Sequence, residues 1–201
     1  EYGNDDDFDG NWAIWDEEFL QFFADKMSSF PQPFSAGIFT ASSHHPYVIP
    51  DRYKGVFPDG TLEIHKCIRY SDNALRLFFE KASKESWFEN TLFVLTADHT
   101  NQTEHPEYWT DYGRYAVPII FYTPDGDLKG YRDAIAQQID IMPTVLSYLG
   151  YDKPYVSFGC DLLNTPAEDT YAVNYINGIY QFFKGDYLLQ FDGRNAVAMY
   201  A

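Results

Sequence analysis

Basic residues are scarce in this chain: 14 Lys and Arg stand against 30 Asp and Glu, a formal charge of −16 over 201 residues. Such a balance repels phosphate backbones and excludes general nucleic-acid binding. Cysteine is nearly absent. Cys67 and Cys160 form no C-x-x-C and no zinc-finger spacing, so they read as two partly buried thiols, with a disulfide left open. No run approaches the ~18 apolar residues of a membrane span, and no signal peptide opens the chain. There is no Gly-rich phosphate loop, no G-x-S-x-G elbow, no internal repeat and no low-complexity linker.

What is present argues for a globular α/β domain. Hydrophobic residues make up 45% and aromatic residues 19%, which excludes disorder. The length suits one domain or part of a larger α/β one, burying roughly 70% of its unfolded surface. Asp16 reads as an N-cap, with Glu17 and Glu18 in the first turn and Phe19, Phe23, Met27 and Phe30 at helical spacing until Pro31 and Pro33. Residues 34–41 read as a buried strand ending in Ser42-Ser43-His44-His45-Pro46. Ile64, Ile68, Leu75, Phe78 and Ala82 mark a second helix. Residues 92–97 form the clearest strand, apolar enough to be covered on both faces. Strand, helix, strand is a βαβ unit, which predicts parallel strands. A polar stretch without period follows from His99 to Ala116, and loops of that length are usually functional. Residues 117–122 read as a third strand, and Asp140, Pro143 and Gly150 bracket a third helix. Beyond Tyr171, Asn177-Gly178, Lys184-Gly185-Asp186 and Asp192-Gly193 punctuate an antiparallel meander. The chain stops at Ala201 inside what reads as another strand, as a cut piece would.

Open parallel sheets bind ligands beyond the carboxyl ends of their strands. Two expected strands end in chemically capable residues, His44-His45 and Asp98-His99. As parallel neighbours they would approach one rim. Consecutive strand residues face opposite ways, so Asp98 and His99 can meet one ion only if the chain turns there. Carboxylate oxygen plus imidazole nitrogen suits Zn²⁺ or Mn²⁺; a capping Asp beside a satisfied His is the plainer alternative. At the rim an imidazole could donate to an anionic substrate oxygen, or His44 and His45 could merely cap a strand end. His105 is a weaker candidate, and His65 reads as a solvated helix residue. Asp5, Asp7, Asp9 and Gly10 match D-x-D-x-D-G, with Asp16 at the twelfth position, yet an EF-hand loop needs a bidentate Glu there and an entering helix. A solvated acidic entry to the helix is the plainer account. Rings such as Phe19, Phe23, Phe78 and Phe121 read as core, although a sugar-binding face of rings stays open. Asn101-Gln102-Thr103 fits a glycosylation sequon that matters only in a eukaryotic secretory setting.

Several ordered segments resemble the sulfatase family of the alkaline phosphatase superfamily, and within it the lipoteichoic acid synthase-like branch. They are Ser42-Ser43-His44-His45-Pro46-Tyr47, Arg69-Tyr70-Ser71-Asp72, Asn90 to His99, Val117 to Tyr122, and Ile139-Asp140-Ile141-Met142-Pro143-Thr144. The resemblance runs from about Trp12 to Leu163. It implies a three-layer α/β/α fold with a mostly parallel sheet, incomplete here, over residues 1–165, with C-terminal β hairpins over 166–201. It implies that Asp98 and His99 are the later metal-ligand pair, for Mn or Zn first and Ca or Mg as possibilities. It matches His44 to a histidine that faces the phosphate or glycerol head of the substrate, whereas His45 stands where members often carry an aromatic residue. The implied substrates are sulfate or phosphate esters of a glycan, lipid head group or glycerol phosphate.

The family's earlier ligand and its Thr, Ser or formylglycine nucleophile belong to an N-terminal half with no counterpart here. Neither Cys67-Ile68-Arg69 nor Cys160-Asp161-Leu162 fits the formylglycine motif. The resemblance thus implies the C-terminal part of an extracytoplasmic enzyme, anchored by membrane helices that this chain lacks and inactive alone. The rival from another class is a non-catalytic acidic, aromatic-rich module binding carbohydrate or calcium.

Overall fold

The computed structural model describes residues 2–201. They divide into two compact units, the first running to Thr91 and the second from Leu92 to Ala201.

The first unit is built on two packed helices, α1 (Asp16–Met27) and α2 (Ile64–Ala82). On α2 the buried residues Ile64, Cys67, Tyr70, Ala74, Phe78 and Ala82 recur every three or four positions, the spacing of one helical face. On α1 the buried stripe is Asp16, Leu20, Ala24 and Met27; of the expected series Met27 lies on it, while Phe19 and Phe23 are half-buried and Phe30 is exposed. Ala24, Ala74 and Ala82 are fully buried, and small side chains let two helices approach closely. The rings take the flank instead, with Phe23 stacked on Phe78 at 6.3 Å.

Asp16 is not an N-cap. Trp15 holds that position without a side-chain bond, and Asp16, 1% exposed, aims its carboxylate elsewhere. A buried carboxylate needs several donors, and the chain before His44 supplies more of them than the first helical turn.

Residues 34–41 form no strand ladder, and Phe39 is 65% exposed. The expected parallel pairing of this segment with the strand ending near Ala97 is therefore not made. Apolar, β-prone composition specifies a strand only when a neighbour takes up its backbone groups, and this segment pairs with none among the described residues.

In the second unit β1 (Phe93–Thr96) pairs with β2 (Ile119–Tyr122), antiparallel from Phe93↔Tyr122 to Thr96↔Ile119. The stretch between them holds only short 3₁₀ turns. No crossover helix carries the chain back, and the two strands pair antiparallel. Helix α3 (Ile141–Tyr148) follows, closed by Gly150 at φ 69°. The strands β3 (Ala172–Ile176), β4 (Ile179–Lys184), β5 (Tyr187–Phe191) and β6 (Ala196–Tyr200) form the expected meander in sequential order. Asn177 and Gly178, with φ of 52° and 85°, make the two-residue turn between β3 and β4, as hairpin twist demands. Every strand ladder among the described residues is antiparallel, so the mostly parallel sheet is corrected on this point. No helix among them is long and apolar enough to cross a membrane.

Candidate metal centre and substrate-facing loop

His44 sits on an exposed loop pinned from both sides. Before it, Asp16 Oδ1 accepts from the Ala41 and Ser42 amides at 3.1 and 2.9 Å, and Asp16 Oδ2 accepts from Ser71 Oγ at 2.6 Å. The Asp16 amide donates to Ser42 Oγ at 3.0 Å, completing the exchange. After it, Tyr47 is buried against Ile64 and Cys67 of α2, and its amide donates to the His44 carbonyl at 3.0 Å. The His44 ring is oriented in turn by its Nδ1, 2.9 Å from the His45 carbonyl. A carbonyl oxygen can only accept, so Nδ1 carries the hydrogen and Nε2 is left for a ligand.

Trp12, which the sequence reading passed over, packs edge-on against this ring at 4.8 Å. It is 54% exposed and is presented by a tight loop in which Asp9 Oδ1 accepts from the amides of Asn11, Trp12 and Ala13 at 2.7, 2.9 and 3.1 Å. Gly10, Asn11, Trp12, His44, His45 and Pro46 line an open cleft of about 610 Å³. The acidic residues of the calcium reading form no metal-holding cluster among the described residues. Asp9 Oδ1 serves its own loop, Asp7 Oδ2 accepts from Tyr2 and Asn4, and Asp16 is buried in another network.

In the second unit the chain bends at Asp98, just past β1. The bend brings Asp98 Oδ2 and His99 Nε2 to 3.4 Å. Asp98 Oδ1 accepts the His99 amide at 2.9 Å, leaving Oδ2 as the outward oxygen. His99 Nδ1 lies 2.7 Å from the Thr100 carbonyl, which fixes the hydrogen on Nδ1 and the lone pair on Nε2. Metal-binding histidines usually have this arrangement, the second nitrogen donating to a carbonyl or carboxylate. Ligand bonds of ~2.0–2.2 Å at a tetrahedral angle separate two donor atoms by roughly 3.4 Å, so the pair fits one transition-metal ion. Both side chains are about half exposed, 58% for Asp98 and 50% for His99. No third His, Cys, Asp or Glu converges with them among the described residues.

Three bonds to the backbone hold the bend. Gln138 Nε2 donates to the Ala97 and Asp98 carbonyls, each at 2.9 Å. The Thr100 amide donates to the Arg114 carbonyl at 2.7 Å, tying the bend to the far end of the polar loop. Gln138 was invisible to sequence reasoning, since a glutamine in a polar stretch carries no signal of which carbonyl it will meet. His105 faces Glu107 at 3.7 Å and stays exposed. His65 accepts weakly from the Leu62 amide at 3.4 Å. Both cysteines are free thiols, and burial pushes Cys67 up to about 11, which makes it unreactive rather than nucleophilic.

Comparison with known proteins identifies the family and the fold. Lipoteichoic acid synthase-like YvgJ of Bacillus subtilis is 30% identical over 176 residues, 77% of this chain and 28% of that protein. A crystal structure of an alkaline phosphatase superfamily protein from Vibrio parahaemolyticus superposes with a TM-score of 0.77 at 28% identity, covering 91% of this chain and 45% of that one. The lipoteichoic acid synthase LtaP of Listeria monocytogenes shares the fold, with a TM-score of 0.75 at 23% identity over 96% of this chain and 52% of its own. The chain thus spans little more than a quarter of the first relative and about half of the two structures. The α/β fold is that of the alkaline phosphatase superfamily, and the sulfatase family profile matches residues 1–151. The chain belongs to the sulfatase family.

Proposed function

We propose that this chain is the C-terminal part of a divalent-metal-dependent enzyme that cleaves or transfers sulfate or phosphate esters. The 3.4 Å approach of Asp98 Oδ2 to His99 Nε2, with the ring hydrogen committed to Thr100, carries this reading. Mn²⁺ or Zn²⁺ suits a mixed carboxylate and imidazole pair better than Ca²⁺ or Mg²⁺, which prefer oxygen ligands throughout. A bound ion would supply charge neutralisation at the transferring group and would lower the pKa of a hydroxyl nucleophile. Asp98 and His99 would hold it, with Thr100 and Gln138 positioning them.

His44 is assigned to the anionic head of the substrate. Its Nε2 accepts a hydrogen bond from a substrate hydroxyl when the ring is neutral, and donates to an ester oxygen when it is protonated. The remaining metal ligands and the nucleophile are assigned to protein outside these 201 residues, in keeping with the share of each relative that the chain spans. The synthase names among the relatives favour glycerol phosphate as the transferred group, and an extracytoplasmic, membrane-anchored setting for the whole protein. Membership of a family of enzymes favours this reading over that of a non-catalytic carbohydrate- or calcium-binding module.

The test uses the whole protein, with aryl phosphate and aryl sulfate esters. Asp98→Asn and His99→Ala are each expected to lose bound metal and turnover while unfolding cooperatively. His44→Ala is expected to keep its metal and lose turnover. Full metal content in Asp98→Asn would refute the metal assignment, and metal loss in His44→Ala would refute the role of His44.

A further inference from the structure

We infer that Gln138 is the positioning residue that holds Asp98 and His99 in their ion-ready arrangement, an inference that rests on the metal reading above. In a regular strand successive carbonyls point opposite ways, and so do successive side chains. Past the end of β1 this alternation fails. The carbonyls of Ala97 and Asp98 converge on one atom, Gln138 Nε2, at 2.9 Å each. A side-chain amide nitrogen has two hydrogens, one for each carbonyl. The two peptide planes flanking Asp98 are thereby locked on the same side. That is the departure from strand geometry that lets Asp98 and His99 meet at 3.4 Å.

Gln138 is itself held firmly enough to do this. It opens the short 3₁₀ turn Gln138–Asp140, whose fully buried Asp140 accepts from the Gln137 amide at 2.9 Å and the Cys160 amide at 2.8 Å. The Gln137 side chain donates to the Tyr171 carbonyl and accepts from the Val173 amide, both at 3.1 Å. It thus imitates a peptide group at the edge of β3. The two adjacent glutamines therefore link the metal pair to the C-terminal meander through one rigid turn. Groups that orient metal ligands from behind commonly contribute 10–100-fold in affinity.

The experiment uses the 201-residue chain and MnCl₂, read by paramagnetic broadening of the His99 ring signals, which registers weak binding. Gln138→Glu keeps the shape but presents oxygens to two carbonyls; Gln138→Met keeps the length and has no donor. Both are expected to weaken Mn²⁺ tenfold or more while the thermal midpoint stays within a few degrees of the parent. Affinity within twofold of the parent in both variants, with Asp98→Asn abolishing binding, overturns the role of Gln138 alone. Unchanged affinity in Asp98→Asn overturns the metal reading and this inference with it.

Discussion

Two imidazoles in this protein have their hydrogens placed by backbone carbonyls, and that determines what each ring can offer. His44 Nδ1 and His99 Nδ1 both face an oxygen that only accepts, at 2.9 and 2.7 Å. Beside His44, the Trp12 ring supplies an apolar wall at 4.8 Å, and aromatic pairs of this kind contribute about 0.5–1.5 kcal/mol. In the whole protein, Trp12→Ala is therefore expected to raise KM for a glycerol phosphate ester several-fold with little change in kcat or melting temperature. Steady-state kinetics would check it, and an unchanged KM would leave Trp12 as surface only. At Cys67 burial dominates: the thiol is fully buried and its pKa is pushed up to about 11. Iodoacetamide at pH 8 should label Cys160, which is partly accessible, well before Cys67, and peptide mass spectrometry would show the order. The pairing of Asp98 with His99 was legible as chemistry from their identity and place after a strand. The turn that makes it possible was not, because it depends on Gln138, forty residues away in sequence.

The elements are joined by a few buried polar groups whose removal should be costly. Asp16 joins the start of α1 to the chain before His44 and to Ser71 of α2. Asp16→Ala orphans those buried donors and is expected to cost about 2–4 kcal/mol in urea unfolding. Asp16→Asn keeps one acceptor oxygen and should cost visibly less; equal losses would argue against the hydrogen bonds as the cause. Gly159 has the same standing next to the turn that carries Gln138. A Cβ there would collide with the Ile139 carbonyl and Asp140 Oδ1, so Gly159→Ala should destabilise by about 2 kcal/mol or more and weaken Mn²⁺ along with it. The helices and the meander could be read from period and turn chemistry, since 3.6-residue spacing and Asn-Gly are local signals. Burial of Ala24 instead of the neighbouring rings could not, because the choice belongs to the facing surface of α2.

The chain as a whole carries a charge of −16, which strains a folded surface by self-repulsion. Raising NaCl from ~10 mM to ~0.2 M should therefore raise the urea midpoint, with the Debye length shrinking from ~30 to below ~8 Å; a flat response would mean that the charges are locally balanced. With Asp98 and His99 as the two proposed ligands where catalytic zinc sites usually hold three, the chain should bind Mn²⁺ or Zn²⁺ no tighter than micromolar and turn over neither ester. Calorimetry and an ester assay would check both, and sub-micromolar binding with turnover lost in Asp98→Asn would show a complete site. The sequence by itself determined the family, the helices and the meander, and singled out Asp98 and His99 as the pair proposed to hold an ion, because these rest on local pattern and on ordered motifs. Only the tertiary structure decided that residues 34–41 form no ladder, that β1 runs against β2, and that Asp98 and His99 face one another. Pairing partners and the carbonyls met by a distant amide are set by which surfaces come together, and no local window of residues contains that information.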